Sequence, residues 1–114
     1  MEKITELGTI KISDNAFERM IREGLALTDG RDSLALERKN IIIEEKAGRL
    51  DIEFHTVHKF GTSMIFSSQT VLDYLENTIR SLRLGIPVKI TMRIVAIKAR
   101  RSIKSNHEIT RTIN

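Results

Sequence analysis

Ile65 to Ile97 reads IFSSQTVLDYLENTIRSLRLGIPVKITMRIVAI, and it holds a helix, a strand and the joint between them. Ile65, Ser68, Leu72, Leu75, Ile79 and Leu82 step by alternating threes and fours, with Val71 widening the stripe. Such spacing returns each residue to one side of a 3.6-residue turn, so it predicts a long helix with one buried face. Gly85 closes that helix, and Pro87 prevents its continuation because its ring leaves no amide to donate. From Val88 the period falls to two. Val88, Ile90, Met92, Ile94 and Ala96 alternate with Lys89, Thr91, Arg93, Val95 and Ile97, a strand with one apolar and one mixed face.

Toward the N-terminus, Ile41-Ile42-Ile43 runs into Glu44-Glu45-Lys46, and Ala47-Gly48-Arg49 makes a short turn. Leu50, Ile52 and Phe54 then alternate with Asp51, Glu53 and His55 before Phe60-Gly61-Thr62-Ser63, so this region predicts a β-hairpin. The charged stretch from Arg31 to Asn40 is a loop that can hold a helical turn at Ser33 to Leu36. Phe17, Met20, Ile21 and Leu25 are at helical spacing, with Asn15 and Glu18 at capping-box distance before them and Thr28-Asp29-Gly30 as the stop. Leu7 to Ile12 alternates as a first short strand. The order is β-α-β-β-α-β. Two helices with one apolar stripe each are most economically buried on one face of a four-stranded sheet, an α+β two-layer sandwich. Right-handed crossovers make a split βαβ topology the leading arrangement. Residues 1–99 form the single domain and residues 100–114 a basic C-terminal tail.

Charge is unevenly distributed. Val88 to Asn114 carries seven Lys/Arg against the single acid Glu108, whereas the first 87 residues carry twelve against fourteen acids. A slightly acidic body with a basic strand and tail points to an anionic partner, whether nucleic acid, acidic protein or lipid surface. Composition narrows the rest. The chain has 114 residues, no Cys, and aromatics at only 4%, so one core of Ile, Leu and Val is expected and disulfide, Cys-zinc and thiol chemistry are excluded. The N-terminus has no apolar export segment and no apolar run approaches a membrane span, which fits a cytoplasmic protein.

Three sets of residues resemble the bacterial alkaline shock protein family, also described as the envelope stress response family. Gly8-Thr9-Ile10-Lys11-Ile12-Ser13 matches its opening segment, Phe60-Gly61 its aromatic-Gly strand end, and Gly85-Ile86-Pro87-Val88 its entry to a last strand. The resemblance covers roughly Leu7 to Ala99. The segment Arg31 to Asn40 and the basic tail depart from the family pattern. What the resemblance implies is a small cytoplasmic, non-enzymatic stress-response protein that self-associates or binds a membrane-anchored protein partner, with no catalytic residues to carry over.

Side-chain chemistry supplies few rivals. Glu53, His55 and His58 fall close together on the hairpin strand and could form an acid–base pair or part of a metal site, but a solvated strand face explains Glu53 and His55 as well. Gly61-Thr62-Ser63 before the long helix could seat an anion, although Thr62 or Ser63 serves equally as an ordinary cap. No phosphate loop, nucleophile elbow or paired-carboxylate signature occurs, so no catalytic residue, metal or cofactor is assigned. The binding candidates are Lys89, Arg93, Lys98, Arg100, Arg101, Lys104 and Arg111. If they bind RNA or DNA they do so through the backbone, since no aromatic follows Tyr74 to stack bases. Alternatively Ile103, Ile109 and Ile113 dock the tail on a neighbouring subunit of a homo-oligomer. Val95 and Ile97, opposite the core set, add to the same apolar surface.

Overall fold

The computed structural model describes residues 2–5, 8–27, 40–59, 64–98 and 102–114. Its strands are β1 (Glu2–Thr5), β2 (Gly8–Lys11), β3 (Ile41–Lys46), β4 (Arg49–Lys59), β5 (Val88–Lys98) and β6 (Ser102–Ile113), and its helices are α1 (Asp14–Leu25) and α2 (Met64–Leu82). Among the described residues the fold is α+β, with two helices and a four-stranded mixed sheet. The expected β-α-β-β-α-β order runs from β2 to β5, with β1 and β6 added at its ends.

The sheet itself is built from β3-β4-β5-β6, with β4 and β5 parallel and the outer pairs antiparallel. Three expectations change as a result. The first strand is not in this sheet, because β2 pairs with β1 in a separate two-stranded hairpin. The segment expected to be a tail is β6, paired with β5 from Lys98↔Ser102 to Val88↔Ile113. Since β4 and β5 are direct neighbours joined through α2, the unit is an ordinary βαβ crossover rather than a split one. The charged loop at 31–39 and the stops at 28–30 and 60–63 lie outside the described residues.

Local chemistry explains the element ends. Ser13 caps α1, its hydroxyl accepting from the Ala16 amide at 3.3 Å, two residues before the expected capping box. The β3–β4 turn places Ala47 at φ 49° and Gly48 at φ 75°. Positive φ at both central residues is the geometry whose twist matches a two-residue hairpin, and glycine adopts it without strain.

Both helices cover one face of the sheet. Phe17, Ile21 and Leu25 of α1 join Val71, Leu72, Leu75 and Ile79 of α2 over Leu50, Ile52 and Phe54 of β4 and Val88, Ile90, Met92 and Ile94 of β5. Close approach of the helices needs Gly24. A Cβ there would stand 3.1 Å from Tyr74 Cδ1 and 3.6 Å from Val71 Cγ1. The predicted α2 stripe is buried from Ser68 to Ile79, but Ile65 at its start is 72% exposed. A bulge at Val95 resets β5. Thr56 pairs with Ile94, and Val57 with Ala96, so Ala96 moves to the uncovered face and Ile97, opposite buried His58, moves to the helix side. The expectation that Ile97 lies opposite the core is therefore corrected.

Candidate interaction surface

The seven basic candidates do not form one patch. Alternation along a strand sends neighbours to opposite faces, and pairing keeps partners on the same face. Arg93 and Lys89 project from the uncovered face of β5, whereas Arg111, opposite Ile90, projects from the helix side of β6. Arg93 and Arg111 each also meet an acid. Arg111 Nη1 donates to Asp73 Oδ1 of α2. Arg93 Nη2 donates to Glu108 Oε2 at 2.8 Å and lies 3.6 Å from Glu53 Oε1. Lys104 is exposed on β6 near its start, and Lys98 ends β5. Arg100 and Arg101 lie outside the described residues.

The uncovered face is a charge network across three strands. Glu53 bridges His55, at 3.1 Å, to Arg93, which continues to Glu108 on β6. Arg49 adds two contacts to Asp51, at 2.7 and 3.1 Å, and Lys46 Nζ sits 2.8 Å from Glu44. Glu44 raises the Lys46 pKa above its ordinary value by hydrogen bonding and charge. Lys89 stands at a shallow hollow of about 270 Å³ whose rim includes Glu44, Asp51 and Glu53. Acids and bases answer one another here, so the face is suited to water. The Nε of Arg93 is the exception, buried without a partner among the described residues.

His58 separates from the other two candidate ligands. Glu53 and His55 share the uncovered face, but His58, at 7% exposure, alternates onto the helix side with Leu50, Ile52, Phe54 and Thr56. Among the described residues no cluster of three or more metal-ligating side chains occurs. The anion seat at 61–63 lies outside the described residues. A second hollow, of about 370 Å³, opens where α2 meets β5, lined by Ile79, Arg80, Arg83, Leu84, Val88 and Ile113 among others. No described helix is long and apolar enough to cross a membrane.

What the sequence reading missed is apolar exposure on the first turn of α2. Ile65 and Phe66 are 72% and 70% exposed, and Ile103 at the start of β6 is 56% exposed. Strand register places Ile103 beside Ile97 and His58, at the end of β4 from which the chain leads to α2. These side chains thus gather toward one end of the molecule. Phe66 carried a signal: it falls off the stripe of threes and fours, and an aromatic off the buried stripe faces outward. Compared with known proteins, this chain matches no family model, no curated protein and no solved structure.

Proposed function

We propose that this is a non-catalytic, cytoplasmic interaction protein that works by self-association, with a stress-response role of the kind the alkaline shock resemblance implies and a membrane-anchored protein as a further partner. The observation carrying this reading is the exposure of Ile65, Phe66 and Ile103 toward one end of so small a chain. Apolar side chains grouped on a soluble surface are commonly contact sites, because covering them removes apolar area from water. The charge network supports the same reading, since Arg93 and Arg111, two of the basic residues expected to recruit a polyanion, stand on opposite faces and meet Glu53, Glu108 and Asp73.

The alternative, backbone-directed RNA or DNA binding, would rest on Lys89, Lys98, Arg100, Arg101 and Lys104. One experiment addresses both. Sedimentation equilibrium across low to high micromolar concentrations should give a mass above the 13.0 kDa monomer. A monomer throughout overturns the proposal. In parallel, a salt series with RNA and duplex DNA should show negligible binding. A log–log slope of about −2 to −4 would instead favour the polyanion reading, as each neutralised phosphate releases counterions.

A further inference from the structure

We propose that the outer edge of β6 is the self-association surface, and that it pairs antiparallel with β6 of a second copy across a twofold axis at Thr110. This rests on the self-association reading above and names a surface for it that takes in Phe66 of the three exposed side chains.

β6 ends the order β3-β4-β5-β6, so among the described residues no strand lies beyond it. A terminal strand presents alternate N–H and C=O groups outward, a template for another strand. The opposite edge is less suited. β3 has six residues, of which Glu44, Glu45 and Lys46 are consecutive charges, a pattern that discourages pairing. β6 has twelve, four of its last seven being Ile or Thr.

The edge has natural limits. Register passes from Ile94↔His107 to Ala96↔Lys104, so Ser105 and Asn106 bulge out of the ladder. That leaves His107-Glu108-Ile109-Thr110-Arg111-Thr112-Ile113, a seven-residue run. Its midpoint is Thr110. Charge favours the same centre, because opposed residues share a face and like charges opposed are unfavourable. Centring on Glu108 or Arg111 sets each against its own copy. Centring on Ile109 pairs only residues 107–111, five of the seven. Centring on Thr110 opposes Glu108 to Thr112, Ile109 to Arg111 and His107 to Ile113, with no like pair.

The helix layer agrees. Arg111 joins β6 to Asp73 of α2, so that side of the helix flanks the β6 edge. Phe66 is seven residues earlier, two turns away on the same side, and is 70% exposed. Antiparallel edge pairing brings the two α2 flanks alongside each other and gives Phe66 a surface to cover. Two four-stranded sheets then continue as one.

The chain has no cysteine, so a single introduced thiol reports one position. Directly opposed residues in an antiparallel pair have Cα atoms roughly 4.5–5.5 Å apart, inside the disulfide range of about 4.4–6.8 Å. Under mild oxidation Thr110→Cys should form a covalent dimer in high yield. Thr112→Cys should not, because each copy's residue 112 would be displaced from its twin by four positions, roughly 13 Å. Thr110→Lys, at an exposed position, should raise the dimer dissociation constant roughly fivefold while circular dichroism stays native. An oligomer that ignores Thr110→Lys and gives no Thr110→Cys cross-link overturns the edge pairing but leaves self-association standing. Equal cross-linking at 112 overturns the register. A wild-type monomer at high micromolar concentration overturns both proposals.

Discussion

Leu75→Ala tests the packing on which every other placement depends. Leu75 is 2% exposed at the middle of α2, and Phe17, Met20, Ile21, Ile52, Ile79 and Ile90 line the same small interior gap, so both helices and both central strands meet there. Truncation removes three carbons from burial, about 2.4 kcal/mol at roughly 0.8 kcal/mol each. A residual void of roughly 50 Å³ adds about 1.2 kcal/mol at some 24 cal/mol per Å³. The expected loss is about 3.6 kcal/mol, a large part of the roughly 5–15 kcal/mol that holds a domain folded. In urea, at a slope near 2 kcal/mol/M, the midpoint should fall by roughly 1.8 M with the slope unchanged. Asn77→Ala is the matched control. It lies on the same helix but on its exposed side, so its cost should stay within about 0.5 kcal/mol at fixed protein concentration. A Leu75→Ala loss below about 0.5 kcal/mol, or equal costs at the two positions, would mean that α2 is rotated from its described setting.

Three smaller effects follow from individual contacts. Ser13→Ala removes the acceptor for the Ala16 amide and should cost about 0.5–2 kcal/mol, read from the same urea curves; no loss would refute the cap. Arg83 holds φ 50° just past α2, a conformation costly to a side chain and free to glycine, so Arg83→Gly should stabilise by about 0.5–1 kcal/mol. Thermal melts showing a loss would count against that geometry. Tyr74, the sole tyrosine, donates to Glu23 at 2.8 Å, and that bond raises its pKa above the ordinary 10.0. An ultraviolet phenolate titration should show this, with Glu23→Gln returning the midpoint toward the ordinary value. Because the folded pKa is the higher one, the stabilisation is complete below pH 10 and is lost as pH rises through the folded value.

Periodicity made α2, the β3–β4 hairpin and β5 legible because each buries one face against a continuous core. The rest of the sheet obeyed signals that periodicity does not carry. Leu7 to Ile12 alternates as a strand should, yet alternation does not name a partner, and β2 found β1 rather than the main sheet. In β6 the opposite happened. Ser102 to Ile113 holds only three large apolar residues, because an edge strand shares its burial with one neighbour and faces water elsewhere. A polar, β-branched run beside the end of a long strand was the available clue. The bulge at Val95 was less accessible still, since one extra residue reverses the faces of Ala96 and Ile97 without altering composition.

Charge counting along the chain did not foresee how the cations are distributed, for a related physical reason. Seven cations within the last 27 residues look like a patch along the chain, but a hairpin folds that chain on itself and alternation assigns its residues to two faces. Arg93 and Arg111 end on opposite sides of the sheet, and each meets an acid remote in sequence or across a strand pair: Asp73 for Arg111, Glu53 and Glu108 for Arg93. Net charge is a one-dimensional property, whereas recruitment of a polyanion needs cations that share a surface and lack local acids. Once β6 is a strand, Arg111 and Glu108 tie it to α2 and to β5, and its remaining hydrogen-bonding capacity lies along the outer backbone. On the self-association proposed above, the chemistry that the tail offered as side-chain charge moves to a main-chain edge, whose partner would be another strand rather than a phosphate.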